Sequence, residues 1–319
     1  MRILLVRLSA FGDLLQTLPI QHALRTAVPE AEISLLVRGP HRKVAEKSAF
    51  IDRVISYEMP PPWPMPGDVR HHWEVARARR AVRDLEVDLV IDIHGLRVAS
   101  RAAASVKAKK LVSVGKHRSI LKKGGVALKM ESSSSKYVAG MAALRAAGID
   151  AHLDTNFRLE PPQVGIENLA STLPAEPYVT VHVGASNPNK IWDPALFGAV
   201  ASGLRRDGYR IVLVGSKIDA RYTPRFLTEC EPDVDLVGET GYDELCAAIA
   251  QARLHFGNDS APSHVAAIHG TPCVSVYSFA DPLVFEPWNQ PDAVIDARKR
   301  EITVDEVYEK CLYKLSLPR

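Results

Sequence analysis

A short segment in the last third of the chain places a carboxylate, a hydroxyl, a proline and an imidazole close together. It is Gly257-Asn258-Asp259-Ser260-Ala261-Pro262-Ser263-His264, directly after an apolar run. Pro262 fits the first turn of a helix, and Asp259 or Ser260 fits its cap. Such a strand-to-helix turn presents unpaired backbone N–H groups and the positive end of the helix dipole, which favours phosphate. The pattern predicts an anion site, beside which His264 either binds a ligand or only packs under a loop.

A second polar turn follows the apolar run at 178–183 and contains Gly184, Ser186 and Lys190. Small residues followed by a lysine allow backbone amides and one ammonium to converge on a diphosphate and neutralise a leaving group. An ordinary polar loop with a solvated lysine explains the same residues, so both interpretations stay open. A further turn, which contains Thr240, either contacts a nucleoside or only caps the next helix.

Asp13 lies in the turn after the first apolar run, within Arg7-Leu8-Ser9-Ala10-Phe11-Gly12-Asp13. Gly12 permits a close backbone approach, and the carboxylate of Asp13 is suited to act as a general base. The alternative is that Asp13 is the N-cap of the following helix. The turn lacks the glycine pattern of a dinucleotide-binding fold and the lysine of a P-loop, which argues against hydride transfer and against P-loop phosphoryl transfer.

Two charged patterns allow both structural and functional interpretations. Asp233 and Asp235 match the D-x-D pattern of metal-dependent sugar transferases, but two-residue matches are common, and we expect a surface turn that needs no metal. The basic stretch 116–125, with Arg97 and Arg101 before it, is either a solvated face or a site for an anionic acceptor or anionic lipid headgroups.

Composition excludes several broad classes of protein. The chain has 319 residues and a formal charge of +3, which is too mild for a general nucleic-acid binder. Its four cysteines show neither a C-x-x-C pair nor zinc-ligand spacing, so we expect reduced thiols. The first residues are typical of a strand rather than a signal peptide, and no apolar run is long enough to span a membrane. We therefore expect a cytoplasmic protein, at most peripheral on the inner face of a membrane.

Short apolar runs alternate with longer helical patterns, which predicts parallel sheets covered on both faces. A polar stretch at 150–162, ending in two prolines, predicts a linker between two domains. Residues 304–315 predict a terminal amphipathic helix, and the proline-rich residues 60–66 predict an exposed loop. The predicted strands are 3–8, 33–37, 54–57, 89–93 and 110–114, then 178–183, 210–214, 236–237, 254–256 and 273–276.

Together these segments resemble the ADP-heptose:lipopolysaccharide heptosyltransferase family, glycosyltransferase family 9. The resemblance runs along almost the whole chain, and its first and last motifs are the most specific. The motifs are Arg7-Leu8-Ser9-x-x-Gly12-Asp13 with Thr17-Leu18-Pro19, Asp88-Leu89-Val90-Ile91-Asp92-x-His94-Gly95, Lys190-x-Trp192, Val214-Gly215-Ser216, Leu236-x-Gly238-x-Thr240, and Asn258-Asp259-Ser260-Ala261-Pro262-x-His264 with Gly270-Thr271-Pro272.

The resemblance implies an α/β protein of GT-B fold, with two doubly wound Rossmann-like domains whose parallel sheets face a central cleft. Residues 1–155 would form an N-terminal acceptor-binding domain and residues 163–300 a C-terminal nucleotide-sugar-binding domain. Residues 301–319 would form a helix that crosses back to the first domain. The implied reaction is the inverting, metal-independent transfer of a heptose from ADP-heptose to an oligosaccharide of the lipopolysaccharide inner core, with no cofactor.

The resemblance also implies roles for individual residues. Asp13 matches the general base. The implied partners are a nucleotide-sugar donor, an anionic glycolipid acceptor and the inner-membrane surface, with no nucleic acid. The implied donor-binding residues are Gly184, Ser186, Lys190, Gly215, Ser216, Thr240, Asp259, Ser260 and His264, and more weakly indicated acceptor-binding residues are Ser9, Gly12, Arg97, Arg118 and Lys122.

Three positions depart from the family pattern. Ala261 stands where glycine is frequent, His94 where glutamine is common, and Ile191 where an arginine often follows the lysine. These departures affect the expected identity of the donor and of the acceptor, and they leave the predicted fold unchanged. The alternatives are a GT-B transferase for another nucleotide sugar and a non-lipopolysaccharide acceptor, a GT-B sugar-nucleotide epimerase, and a non-catalytic nucleotide-binding module.

Overall fold

The computed structural model describes residues 1–59, 66–115, 117–131 and 133–317. The chain divides into two compact units, Met1–Thr155 and Asn156–Arg319, here called unit 1 and unit 2. Most of the proline-rich loop predicted at 60–66 lies outside the described residues, as does Lys116 of the basic stretch. Among the described residues, no helix combines the length and the apolar character needed to cross a membrane.

The described residues of unit 1 contain one parallel sheet of six strands in the order β3-β2-β1-β4-β5-β6. Its central strands are leucine- and isoleucine-rich runs that are buried on both faces, as expected for a parallel sheet. The strands are β1 (Arg2–Val6), β2 (Glu32–Arg38), β3 (Arg53–Tyr57), β4 (Glu86–Asp92), β5 (Lys107–Ser113) and β6 (Val126–Ala127).

Successive residues of a strand point to opposite sides of the sheet, so the apolar strands expose apolar side chains on both faces. Helices cover both faces and bury these side chains. Leu5 packs with α2 and α7 in one hydrophobic cluster, whereas its neighbours Leu4 and Val6 pack with α4 and α5 in another. The helices of unit 1 are α1 (Phe11–Gln16), α2 (Leu18–Ala27), α3 (Arg42–Ala45), α4 (Gly67–Val82), α5 (Arg97–Ala103), α6 (Arg118–Leu121) and α7 (Lys136–Ala147).

Unit 2 repeats the same arrangement in its described residues, with a parallel sheet in the order β12-β11-β10-β7-β8-β9. The strands are β7 (Tyr178–His182), β8 (Arg210–Leu213), β9 (Val234–Asp235), β10 (Leu254–Asn258), β11 (Cys273–Tyr277) and β12 (Val294–Asp296). The helices are α8 (Gln163–Leu169), α9 (Pro194–Arg206), α10 (Thr223–Phe226), α11 (Tyr242–Gln251), α12 (Ala261–His269), α13 (Pro282–Phe285) and α14 (Val304–Ser316).

The predicted pair of doubly wound parallel sheets is confirmed. The terminal helix α14 packs against α9, β10 and β11 of unit 2. Its predicted return to the first domain stays a prediction, as do the roles assigned to the domains.

Asp235 of the D-x-D pattern ends a short edge strand, and Asp233 lies in the bend directly before it, whereas we expected a surface turn for both. The strand β9 comprises Val234–Asp235, two residues earlier than the predicted 236–237. Asp233 accepts hydrogen bonds from Arg205, Arg210 and the backbone N–H of Ile211. This carboxylate therefore helps to fix the edge of the sheet.

Candidate functional site

The strand order locates the most favourable ligand position in each unit. β1 lies beside β4 in unit 1, and β7 lies beside β10 in unit 2, where the chain changes direction across the sheet. Doubly wound sheets bind ligands outside the carboxyl ends of strands at such switch points. The loops after β1 and β4 carry Asp13 and His94, and those after β7 and β10 carry Lys190 and Asp259.

In unit 2, Lys190 and Asp259 form an ion pair that joins the two switch-point loops. Lys190 Nζ lies 2.6 Å from Asp259 Oδ2; Asp259 is 3% exposed and Lys190 is 22% exposed. Lys190 sits in a short 3-10 turn, Pro188–Lys190. An ammonium has three donors, and this contact uses one of them. The partly exposed lysine therefore keeps donors for an anionic ligand while it compensates the buried carboxylate.

Asn258 joins the same two loops through a fully buried side-chain amide. Its Oδ1 accepts a hydrogen bond from the N–H of Trp192 at 2.8 Å, and its Nδ2 donates to the carbonyls of Val183 and Gly184 at 3.0 and 3.3 Å. The amide uses its donor and acceptor atoms on backbone groups, so it holds the loop that carries Lys190 against the end of β10.

A hydrogen-bonded network links two of the predicted donor residues, Ser216 and Ser260. His182 Nδ1 lies 2.8 Å from Ser260 Oγ, and His182 Nε2 lies 3.4 Å from Asp219 Oδ2. The same Asp219 oxygen accepts hydrogen bonds from the backbone N–H and the hydroxyl of Ser216 at 2.8 and 2.6 Å. Burial alone would raise the pKa of Asp219, but His182 and Ser216 outweigh it and hold the pKa at about 2. Asp219 is therefore a carboxylate at neutral pH.

Neither His182 nor Asp219 was predicted as a site residue from the sequence. His182 ends β7 two positions before Gly184 of the polar loop, and Asp219 follows Ser216 by three positions. An aspartate three positions after a serine can accept a hydrogen bond from the serine N–H. This spacing is the local sequence signal from which the role of Asp219 could have been predicted. The pairing of His182 with Ser260, 78 positions later, has no local signal.

Gly184 is required where the polar loop passes Asp219. A Cβ built at Gly184 would lie 2.0 Å from Asp219 Oδ1 and 2.3 Å from Cγ. We expect Gly184→Ala to displace Asp219 from His182 and Ser216, to cost about 1–3 kcal/mol of stability and to weaken nucleotide binding. Chemical unfolding and ADP titration calorimetry measure the two effects.

Gly67→Ala is the matched control for Gly184→Ala, because nothing lies within 4 Å of a Cβ built at that position. Gly67 begins α4, where alanine is a good helix former. We expect this control to keep wild-type stability or to gain slightly. Wild-type stability and ADP affinity in Gly184→Ala would contradict the close contact with Asp219.

The other predicted donor residues lie on neighbouring loops of unit 2. Ser260 is the N-cap of α12, yet its hydroxyl donates to the carbonyl of Asn258 at 3.1 Å instead of capping the helix. His264 is buried within α12, with 5% of the residue exposed. The turn that contains Thr240 contacts the loop of Gly215, where Gly238 N–H donates to the Gly215 carbonyl at 2.9 Å. Ser186 is exposed.

In unit 1, the Asp13 carboxylate binds a buried guanidinium. Asp13 Oδ1 lies 2.9 Å from Arg7 Nη2, with 3% of the Arg7 side chain and 25% of the Asp13 side chain exposed. Asp13 Oδ2 accepts the N–H of Ala10 at 2.9 Å. Ala10 is the N-cap of α1 and Asp13 is the third helical residue, so the N-cap alternative for Asp13 is wrong. The carboxylate caps the helix by reaching back from its first turn.

The charge state of Asp13 follows from these contacts. Burial would raise its pKa, but the Arg7 guanidinium and the Ala10 N–H outweigh burial and lower the pKa below its usual range. Asp13 is therefore ionised at neutral pH. A carboxylate offers about four acceptor positions, and two are used here. The partly exposed oxygens keep positions for a substrate hydroxyl.

His94 joins the loops after β1 and β4, as Asn258 joins the corresponding loops of unit 2. Its Nδ1 accepts the N–H of Leu8 at 3.0 Å, and Arg7 donates to the carbonyl of Ile93 at 3.2 Å. Burial and, next, the nearby Arg7 lower the pKa of His94 to about 3. The ring is therefore neutral at physiological pH, and we did not predict this linking role from the sequence.

The predicted acceptor residues of unit 1 occupy three different places. Ser9 Oγ accepts a hydrogen bond from Arg38 at 3.0 Å, and Gly12 lies in the first turn of α1, so both are near Asp13 in the chain. Arg97 begins α5 after β4, and Arg118 begins α6 after β5, both exposed. Lys122 is exposed after α6 and lines a cavity with residues of α4 and α5.

Two doubly wound parallel sheets, each with polar residues at its switch point, define the fold of the GT-B glycosyltransferases. Residues 75–315 match the profile described as glycosyltransferase family 9 (heptosyltransferase). The chain belongs to this family and is a glycosyltransferase. The family named from the sequence motifs is thereby confirmed.

Similar proteins include two curated relatives from Escherichia coli, each named lipopolysaccharide heptosyltransferase 3. One is 24% identical over 291 residues, covering 87% of this chain and 84% of the relative. The other, from strain K12, is 26% identical over 297 residues, covering 88% of this chain and 83% of the relative.

Solved structures share the fold at lower sequence identity. The glycosyltransferase family 9 protein of Veillonella parvula DSM 2008 has a TM-score of 0.82 at 19% identity, covering 98% of this chain and 97% of that one. The E. coli heptosyltransferase WaaC with ADP has a TM-score of 0.75 at 18% identity, covering 98% of this chain and 100% of that one.

Proposed function

We propose that the chain transfers a heptose from ADP-heptose to a sugar of the lipopolysaccharide inner core, with inversion and without a metal ion. The observation that carries the proposal is the pair of switch-point sites: an ionised carboxylate in unit 1, and in unit 2 a lysine beside a cluster of small polar residues. The names of the E. coli relatives support the acceptor class. WaaC structures with ADP and with ADP-2-deoxy-2-fluoro heptose support the donor class.

Unit 2 holds the donor in this proposal. Lys190 donates a charge-assisted hydrogen bond to the diphosphate, and the backbone amides at the start of α12 point toward negative charge. Ser216 and Ser260 are held in place by Asp219 and His182. The remaining predicted donor residues contribute from the same loops, namely Gly184, Ser186, Gly215, Thr240, Asp259 and His264.

Unit 1 binds the acceptor and supplies the base. The acceptor hydroxyl loses its proton to the Asp13 carboxylate as its oxygen attacks the anomeric carbon of the heptose. The bond from that carbon to the diphosphate oxygen breaks, and its electron pair leaves with ADP, whose charge Lys190 stabilises. A single displacement of this kind inverts the anomeric centre.

Acceptor recognition belongs to the residues of unit 1 in the same proposal. Arg97, Arg118 and Lys122 bind anionic groups of the acceptor, while Ser9 and Gly12 shape the loop next to Asp13. A glycolipid acceptor is anchored in a membrane, so the protein works in the cytoplasm with a peripheral contact at the inner face of that membrane.

A panel of nucleotides and nucleotide sugars tests the donor. We expect ADP and ADP-heptose to raise the melting temperature, because a ligand that binds only the folded state stabilises it by mass action. A free ligand concentration of 1,000 times Kd stabilises the folded state by about 4 kcal/mol. A shift with a UDP or GDP sugar and none with ADP would assign a different donor.

The reaction itself is tested by measuring ADP release with and without a lipopolysaccharide core acceptor. We expect release to depend on the acceptor and the acceptor to gain the mass of one heptose residue. ADP-heptose binding without acceptor-dependent release would indicate a binding module, and a rearranged donor sugar would indicate an epimerase.

A further inference from the structure

The outer surface of three helices in unit 1 forms a strongly basic cavity. It lies among α4, α5 and α6 and has a volume of about 420 Å³. These helices cover the face of the sheet opposite to α2 and α7. The residues that line the cavity are His72, Val75, Ala76, Arg79, Arg101, Ala104, Ser105, Ser119, Lys122 and Lys123. We call this face the α4–α6 surface.

The lining of the cavity is suited to anions. Arg79, Arg101, Lys122 and Lys123 surround small and apolar side chains, and among the described residues that line the cavity there is no carboxylate. Within the ranges that the structure describes, none of these four cations forms an ion pair with an acidic side chain. Their charge is therefore available to an external ligand.

The basic character extends beyond one cavity. A second cavity of about 440 Å³ adjoins the first along α4, shares Arg79 and Lys123 with it, and adds Arg80 and Arg83. Residues 66–84, 97–105 and 117–123 contain ten arginines and lysines against three acidic residues, although the whole chain carries only +3. The remainder of the chain is therefore net negative, and positive charge is concentrated in the three segments that form and flank this surface.

An apolar side chain lies within the same basic region. Leu121 ends α6 and is 60% exposed, directly before Lys122 and Lys123. Peripheral membrane proteins combine basic residues with exposed leucines, because the cations bind anionic headgroups while the apolar side chain enters the acyl boundary. A small soluble anion would use one cavity and would leave both the second cavity and Leu121 unexplained.

We propose that the α4–α6 surface docks the protein on a membrane by binding the phosphate groups of anionic lipid headgroups. The described residues that line the two cavities include none from the loops after β1 and β4, which lead to Asp13 and His94. Lys122 is also assigned to the acceptor in the proposed function, and the test variant leaves it unchanged. This inference deepens the proposed function, on which it rests for the membrane location of the acceptor. Its test uses vesicles that contain neither donor nor acceptor, so its failure is distinguishable from failure of the transfer reaction.

The test measures sedimentation of the full chain with vesicles of two compositions, phosphatidylcholine alone and equal parts of phosphatidylcholine and phosphatidylglycerol. We expect binding to the anionic vesicles only, and weaker binding as salt is added. The variant Arg79→Gln/Arg80→Gln/Arg101→Gln/Lys123→Gln is expected to bind about 100-fold more weakly or worse, since each cation near an anionic surface adds to the attraction.

The matched control removes the same charge from exposed positions elsewhere, as Arg53→Gln/Arg145→Gln/Arg206→Gln/Arg253→Gln. We expect this control to bind anionic vesicles within about 3-fold of wild type, because its cations lie outside the α4–α6 surface. Melting temperatures of both variants verify that they are folded.

Three results would overturn the proposal. The wild-type chain could fail to prefer anionic vesicles, or the control could lose as much binding as the surface variant. Displacement by potassium phosphate, but not by potassium chloride of equal ionic strength, would instead assign a site for soluble phosphate.

Discussion

Asp13→Asn is expected to lower turnover by about two to four orders of magnitude, the range for loss of a general base. The amide matches the carboxylate in shape but cannot accept a proton from the acceptor hydroxyl. Donor affinity is expected to stay close to wild type, because the predicted donor residues lie in unit 2. Initial rates at saturating substrates and ADP calorimetry measure the two quantities.

Asp52→Asn is the matched control, because Asp52 makes the same kinds of contact away from the switch point. Its Oδ2 accepts hydrogen bonds from Arg25 at 2.6 Å and from the N–H of Ile33 at 2.7 Å. Asp52→Asn breaks the ion pair with Arg25, as Asp13→Asn breaks the ion pair with Arg7. The control therefore reports the effect of a broken ion pair alone. Wild-type turnover in Asp13→Asn would limit Asp13 to holding the start of α1.

The pH dependence of the rate gives a second check on Asp13. A general base works only when it is deprotonated, so kcat/KM falls as the pH decreases through its pKa. The pKa of Asp13 lies below the ordinary aspartate value of about 3.9, so no acid limb is expected between pH 5 and 8. A limb near pH 6–7 would implicate a histidine other than His94, whose pKa is about 3.

Lys190→Ala is expected to weaken ADP binding by about 10- to 100-fold, as for loss of a hydrogen bond from a charged donor. Transfer is expected to slow as well, because the departing diphosphate loses its neutralising ammonium. Calorimetry with ADP and rates at saturating donor measure the two effects. Unchanged affinity and rate would remove Lys190 from the site.

The ion pair with Asp259 requires a double-mutant cycle. Asp259 is 3% exposed, so Lys190→Ala also leaves a buried carboxylate without its partner. Asp259→Asn removes that charge, and the double variant Lys190→Ala/Asp259→Asn separates the two roles. We expect the double variant to regain stability but not ADP affinity. Recovery of ADP affinity would mean that Lys190 only neutralises Asp259.

The central strands were predictable from the sequence, whereas the edges were not. Runs such as that of β1 carry several consecutive apolar residues, as is typical of a buried parallel strand. β6 and β12 have two and three residues, too few for a pattern, and both were missed. β9 was placed two residues late, because its only apolar residue, Val234, stands between two aspartates.

The loops of the site were predictable, but their mutual contacts were not. Residues after strand ends converge at a switch point, which is why Asp13, Lys190 and Asp259 could be singled out. The pairs His182–Ser260 and Leu8–His94 join positions 78 and 86 residues apart. Such pairs depend on strand register, which a local pattern does not contain.

The hydrogen bonds of Asn258 have a consequence for ligand binding at the proposed donor site of unit 2. A carboxylate at this position would face the carbonyls of Val183 and Gly184, to which the amide now donates, so aspartate is a poor substitute despite its equal size. The amide joins the two loops by three hydrogen bonds within the protein itself. Loops that are already fixed to each other lose little conformational entropy when a ligand binds, so the proposed donor would meet a preorganised site.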